Sequence, residues 1–353
     1  VEAVIHCFNT TDKFFNWTNE PVQSPPYFNI VKDQQFFSRE LRYVGDEVCA
    51  VAAISEEIAE AALQVIHVTY EQLPAVLNAE DAAAADAPIL HPLVNAETNV
   101  AFSSANRVGN VEEAMAQCAA VVDEHFRVSV QKQMQLEMQN ALAYFSGDGK
   151  VTVWSPTQSP ALAQRLVSWI CDIPMSKVRI VNPGYVGGAF GVRIGLSGKA
   201  EIYAVELARR TGKPVKLVYD RHEDMIASEA RHSGKLHIQL GCDAQGHLLA
   251  LRGRGFMEAG AYALSSASLC GAMASRIQTV YHIPHADYLG QAVYTNTTPG
   301  GAQRGYGAPQ PQFAMENAVN RLAEKMHMDP VEFRKINVMQ PGDPWMVDYD
   351  LRS

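Results

Sequence analysis

A mixed α/β protein built of two unequal units is the fold class that this 353-residue sequence predicts. Three observations predict it. Strand-like and helix-like segments alternate along most of the chain. A stretch without periodicity, residues 78–107, separates a short first unit (1–77) from a longer second one (108–353). Two glycine-rich segments, at 184–191 and 299–310, interrupt the second unit.

Composition narrows the class. With 47% hydrophobic and 19% charged residues the chain buries a sizeable core, which excludes disorder and a disulfide-dependent miniprotein. A net charge of −9 without any Lys/Arg-rich run excludes an electrostatic nucleic-acid binder. No stretch reaches the roughly 20 apolar residues that span a bilayer, so no membrane partner is expected. The six cysteines are scattered, with no Cys-x-x-Cys and no iron–sulfur spacing. They read as small buried hydrophobes of a reducing cytoplasm. The chain opens on Val1 without a leader-like apolar run, as expected for a processed product or a piece of a longer polypeptide.

The elements follow in order. Residues 46–53 read as a strand. Ser55 followed by Glu56 and Glu57 marks a helix start, with Ile58, Ala61, Ala62 and Val65 at helical spacing. Val68 and Tyr70 open a second strand that Pro74 limits. From 78 to 107 the chain turns to Ala, Asp, Asn and Pro and reads as a linker. Asn110 caps a helix running to Cys118, and 120–130, 141–145 and 151–154 read as strands. Ser159-Pro160 begins a helix through Trp169, the proline lying where its missing N–H costs nothing. A strand at 178–181, a helix at 199–210 stopped by Gly212 and a strand at 215–220 come next. Segments 236–240 and 247–252 form a hairpin around Asp243-Ala244-Gln245-Gly246. Residues 313–326 form an amphipathic helix.

The glycine-rich segments carry the functional signal. Gly184-Tyr185-Val186-Gly187-Gly188-Ala189-Phe190-Gly191 follows an apolar strand, and Pro299-Gly300-Gly301-Ala302-Gln303-Arg304-Gly305-Tyr306-Gly307-Ala308-Pro309-Gln310 embeds an arginine and an aromatic. Glycines let backbone approach a ligand, and an arginine beside them suits an anionic or heteroaromatic cofactor. Tight turns at sheet ends are the plain alternative. A nicotinamide-dependent dehydrogenase is a sharper rival, because 178–220 imitates a βαβ unit ending on Asp220. It lacks Gly-x-Gly-x-x-Gly, and its helix starts too far past the glycines to meet a pyrophosphate. Gly-x-Ser-x-Gly is absent, which leaves a serine-hydrolase elbow unsupported. His282 and His285 flank Ile283-Pro284 as a weak zinc pair. The polar segment 131–140 reads as a loop, in which Glu137 is either solvated or a buried carboxylate near a site.

Gly187-Gly188-Ala189-Phe190-Gly191, Arg304-Gly305-Tyr306-Gly307-Ala308-Pro309-Gln310, Thr157-Gln158 after Trp154, Glu137, and Tyr70-Glu71-Gln72-Leu73-Pro74 together resemble the molybdenum hydroxylases, the xanthine dehydrogenase and aldehyde oxidase family. Lys213-Pro214-Val215-Lys216 and Asp220-Arg221-His222-Glu223-Asp224 are also similar to it. The match runs through nearly the whole chain in the family's order. It implies a partial hammerhead α/β domain over 1–77, followed by the first molybdenum-cofactor-binding domain over 108–353. It also implies a molybdenum-molybdopterin cofactor, in bacterial members often the cytosine dinucleotide form, with [2Fe-2S] and FAD on partner chains.

The resemblance further implies residue roles. Gln158, Gly188, Phe190, Gly191 and Arg304 would bind the cofactor, Gln158 through an oxo ligand of the metal. Ile194, Ala272 and Tyr306 would line the substrate pocket, with Tyr306 stacking on a heterocycle. The implied reaction oxidises an N-heterocycle or an aldehyde, with water as the oxygen source. The family's general-base glutamate, in a Gly-Val-Gly-Glu loop, is absent here and would come from a second molybdopterin domain. Purine-oxidising members carry Glu and Arg where this sequence has Ile194 and Ala272, which places xanthine itself in doubt. A non-catalytic module that holds a cofactor or partner through the same fold is the alternative.

Overall fold

The computed structural model describes residues 1–16, 31–95, 97–345 and 349–350. The chain starts with β1 (Ala3–His6), β2 (Cys49–Ala52), α1 (Glu56–Gln64), α2 (Ala79–Ala82), β3 (Val100–Val108), α3 (Val111–Gln117) and β4 (Ala120–Val128). It continues through β5 (Asn140–Phe145), β6 (Val151–Trp154), α4 (Pro160–Ile170), β7 (Val178–Val181), α5 (Ala200–Thr211), β8 (Val215–Val218) and α6 (Arg221–Ala227). It then forms β9 (Ala230–Arg231), β10 (Gly234–Cys242), β11 (Leu248–Gly260), α7 (Ser266–Arg276), β12 (His285–Tyr294) and β13 (Gly300–Gly301). Last come α8 (Pro309–Lys325), α9 (Pro330–Asn337), β14 (Pro344–Trp345) and β15 (Tyr349–Asp350).

Two larger sheets organise the molecule. One has five strands in the order β3-β12-β11-β10-β4, the other four in the order β7-β6-β5-β8. Strand alternation decides which face each buries. Along β10, Leu236, Ile238 and Leu240 point inward, while Lys235, His237 and Gln239 face the other way. The inward side chains meet Ala314, Met315, Ala318 and Leu322 of α8, with Leu269 and Met273 of α7. In the four-stranded sheet, Ala141, Ala143, Val151 and Val153 pack on Leu166 and Ile170 of α4 and on Ile202 and Val205 of α5. Ile5, Phe15, Phe36 and Tyr43 belong to this same core, so the N-terminal segment shares its apolar interior with the small sheet.

The helix ends follow local chemistry. The Ser55 hydroxyl and the Asn110 amide accept N–H groups of α1 and α3, and Gly212 ends α5 at φ +64°. Asp220 and Glu223 close a reciprocal capping box on α6.

Two expectations need correction, and two rival readings fall away. The strand at Val68 and Tyr70 does not form; no partner strand flanks it among the described residues, and both side chains are exposed. The 78–107 stretch is not a plain linker: it holds α2 and most of β3, whose strand state is set by antiparallel pairing with β12. The dinucleotide-type unit is excluded by topology. β7 and β8 occupy opposite edges of their sheet, two strands apart, whereas such a unit needs neighbouring strands. His282 and His285 have separate partners, Asp343 and the Asn110 N–H.

Candidate functional site

The two glycine-rich segments meet at the seam between the sheets. The first leaves β7, the second passes through β13, and β13 pairs with β9 at Gly300–Ala230 and Gly301–Arg231. Two hydrogen bonds stitch the segments and the 157–158 turn together. The Gly191 N–H donates to Gln158 Oε1 at 3.0 Å, and the Arg304 N–H donates to the Phe190 carbonyl at 2.8 Å.

Backbone strain marks the junction. Phe190 adopts φ +54°, uncommon for an aromatic residue, and its ring stays 48% exposed. Gly191, at φ +114°, lies so close to the second loop that a Cβ there would stand 2.5 Å from the Ala302 carbonyl oxygen. Only glycine fits.

Arg193 holds this geometry from beneath. Its side chain is fully buried and every guanidinium nitrogen is engaged. Nε donates to Gln139 Oε1 at 3.1 Å, and one terminal nitrogen donates to Glu137 Oε2 at 2.9 Å and to the Gly188 carbonyl at 3.0 Å. The other donates to the carbonyls of Glu137 and Met138. Glu137 also accepts the Gly187 N–H at 2.8 Å and the Asn140 amide at 3.1 Å. Burial alone would push its carboxyl up, but these N–H donors and the guanidinium hold it below the usual carboxylate range. Glu137 is therefore a charged fixture of the loop.

The polar segment 131–140 is a loop, as the sequence predicts, that turns Gln133, Gln135 and Gln139 inward while Gln131, Met134 and Leu136 stay exposed. Gln133 donates to the Ala302 carbonyl at 2.8 Å, Gln135 to both carboxylate oxygens of Asp224, and Gln139 accepts from Arg193 and Ser197. Buried amides need such partners, and here they come from the second loop, α6 and the stretch 193–197 that follows the first loop.

An open groove of about 460 Å³ runs along the seam, lined by Gln133, Phe190, Arg231, Gln303, Arg304 and Gly305. Arg231 is braced by Gln303 Oε1 at 2.6 Å and the Arg304 carbonyl at 2.7 Å. Two guanidiniums and two amides face this groove with no carboxylate in its lining. That donor set fits a polyanionic, oxygen-rich group. A separate hollow, lined in part by Phe36, Ile170, Arg209 and Arg210, contains none of these residues.

The residues assigned to a substrate side are only partly gathered. Ala272 of α7 abuts Gly307, where a Cβ would fall 2.5 Å from the Ala272 methyl. Tyr306 is half-buried. Its hydroxyl is tied back to Ser265, its carbonyl accepts from Arg276, and its ring meets the His232 ring edge-on at 6.3 Å. Ile194 sits on the first loop with its N–H on the Gly191 carbonyl and its side chain 40% exposed.

Behind the second loop lies a buried carboxylate that the sequence did not disclose. Glu229 accepts the Ala302 N–H at 2.9 Å, and burial pushes its pKa up to about 8. The roles of Arg193, Gln133, Arg231 and Glu229 all escaped sequence reasoning. A lone arginine inside the apolar run Val192-Arg193-Ile194 was the available signal for the first.

Residues 90–338 match the molybdopterin cofactor-binding domain, and residues 5–74 match the a/b hammerhead domain of aldehyde oxidase and xanthine dehydrogenase. The chain is 34% identical over 89% of its length to a probable xanthine dehydrogenase subunit of Bacillus subtilis, of which it covers 41%. It is 31% identical over 89% of its length to the nicotinate dehydrogenase large molybdopterin subunit of Eubacterium barkeri, covering 72% of that protein. The aldehyde oxidoreductase of Desulfovibrio gigas superposes with a TM-score of 0.89 at 30% identity, over 97% of this chain and 37% of that one. The chain thus spans about two-fifths of two of these proteins and most of the third.

Proposed function

The chain belongs to the molybdenum hydroxylases of the xanthine dehydrogenase and aldehyde oxidase family, and from that premise we propose that it forms one wall of a molybdopterin site oxidising an N-heterocycle or an aldehyde. The pair of inter-loop hydrogen bonds, Gly191 to Gln158 and Arg304 to Phe190, carries this reading, because it aligns both loops along a groove lined by cationic and amide donors. The molybdenum cofactor, when bound, supplies the two-electron oxidation, with water as the oxygen source.

The chain's own residues position and exclude. Gln158 spends its carbonyl oxygen on Gly191, which leaves its amide N–H groups as donors toward the cofactor. Arg304 and Arg231, which line the groove, would hold anionic groups of the pterin, and the backbone of Gly188, Phe190 and Gly191 would lie against it. Tyr306 presents its ring to substrate, since its hydroxyl is already committed to Ser265. Ile194 and Ala272 offer no hydrogen bond to a purine edge, so the substrate is an N-heterocycle other than xanthine, or an aldehyde. We place the first unit at 1–77 and start the second before β3, because Val100–Val108 pairs with β12 in the five-stranded sheet. The general base, a second molybdopterin segment and the [2Fe-2S] and FAD centres come from elsewhere in the assembly.

Turnover of nicotinate and of an aromatic aldehyde by the intact molybdenum-replete protein in ¹⁸O-labelled water tests the reading. Label in the product of either substrate is expected. Turnover of neither, or oxygen taken from dioxygen, overturns it.

A further inference from the structure

Away from the seam, the outer face of the five-stranded sheet carries a second constellation with its own chemistry. In β4, alternation sends Val122 into the core and Asp123 and His125 outward. In β10 it sends Ile238 inward and His237 and Gln239 outward. The two strands are antiparallel and in register, with His125 opposite His237 and Asp123 opposite Gln239. Four side chains therefore stand on the corners of one square, fixed by ladder hydrogen bonds rather than by a loop.

Three of the four carry atoms of metal-ligating types. The nearest ligand atoms of Asp123, His125 and His237 all lie within 4.8 Å of one another. The imidazole rings are stacked, with centroids 4.1 Å apart and planes 7° from parallel. Tetrahedral ligands at about 2.0–2.1 Å from zinc stand about 3.4 Å apart, so closing the set requires the two rings to rotate out of their parallel stack and turn their nitrogens toward Asp123.

The surroundings favour a cation. Gln239 donates to Asp123 Oδ2 at 2.8 Å, while Arg252 donates to Gln239 Oε1 at 2.9 Å. That relay leaves Asp123 Oδ1 aimed at His237 Nε2, with which it is hydrogen-bonded. An outer partner that orients a ligating carboxylate is what metal centres employ. Of the nearby cations, Arg252 is paired with Glu112, Arg254 with Asp287 and Lys235 with Glu80, while Arg127 faces solvent at the next outward position of β4.

We propose that Asp123, His125 and His237 form a surface site for a divalent transition metal of the zinc class, stapling edge strand β4 to β10. Two imidazoles and one carboxylate select zinc, nickel or copper over magnesium or calcium, which prefer all-oxygen sets. Water completes the coordination. The hydrogen on His237 Nε2 moves to Nδ1 when the metal binds, so the imidazole ligates in its neutral form. This inference does not depend on the oxidative reading of the seam.

The test uses the intact purified protein, freed of loosely held metal with EDTA and titrated with Zn²⁺ against a chromogenic chelator. The wild type is expected to take up one more equivalent than the His125→Ala/His237→Ala double variant. Its thermal midpoint is expected to rise with Zn²⁺ while that of the variant stays fixed. Asp123→Asn, nearly isosteric, is expected to weaken binding at least tenfold. Equal uptake by wild type and double variant, or unchanged affinity in Asp123→Asn, overturns the proposal.

Discussion

Replacing Arg193 by methionine probes the account most severely, because one side chain ties Glu137, Met138, Gln139 and Gly188 together. Methionine keeps most of the buried volume and removes every donor. The carbonyl of Met138 and the side-chain oxygen of Gln139 retain other donors, Asn140 and Ser197. The carbonyls of Glu137 and Gly188 have no other donor among the described residues, and stranding each costs about 1–3 kcal/mol. The Glu137 carboxylate, partly exposed and still held by Gly187 and Asn140, adds only about 1 kcal/mol after screening.

The sum is about 3–7 kcal/mol, or a fall in melting midpoint of at least roughly 6 °C at about 2–4 °C per kcal/mol. Scanning calorimetry reads the stability, and elemental analysis of the same samples reads molybdenum per chain, which should fall with it. Arg193→Lys should lie between, since an ammonium lacks the planar fork. A midpoint within about 2 °C of wild type for Arg193→Met, corresponding to less than about 1 kcal/mol, would refute the reasoning.

Three further outcomes follow from the same geometry. Gly191→Ala forces a Cβ against the Ala302 carbonyl at φ +114° and should cost a few kcal/mol along with molybdenum occupancy, whereas Gly212→Ala, with open space around it, should cost only about 1 kcal/mol by calorimetry. Gln158→Glu keeps an oxygen that accepts the Gly191 N–H but removes the amide donors, so it should leave the melting midpoint within about 2 °C while lowering molybdenum per chain, a split that a purely structural role does not give. Glu229 has its pKa raised by burial from 4.5 to about 8, so its contribution to stability is complete below about pH 4.5 and is lost as the pH climbs through 8. Glu229→Gln should therefore gain on wild type between pH 5 and pH 8 in paired thermal melts, and parallel curves would count against that assignment.

Much of this fold was legible where local chemistry decides. Ser55, Asn110 and Gly212 marked helix ends from their own side chains or lack of one, and α4 and β6 fell where spacing put them. The misses fall where long-range contacts decide. β3 (VAFSSANRV) has little alternation, and its partner β12 is far along the chain. α7 is built of Ser, Ala and Gly around Leu269 and Met273, too weak a stripe to read without the sheet it covers.

The site shows the same division. The glycine loops, Gln158 and Arg304 were visible as motifs, because their composition is unusual in itself. The buried function of Arg193 was not, because its five bonds go to residues more than fifty positions earlier and to Gly188. Nor was the burial of Gln133, Gln135 and Gln139, since a polar run looks the same whether it faces water or carbonyls. Glu229 gave no signal at all, because its raised pKa arises from the packing of the second loop over it.

Molybdenum per polypeptide, measured by elemental mass spectrometry on the intact protein purified from its native source, tests the central claim most directly. The account predicts close to one molybdenum per chain, falling sharply when Arg304 is changed to glutamate. Intact protein purified free of molybdenum would contradict it.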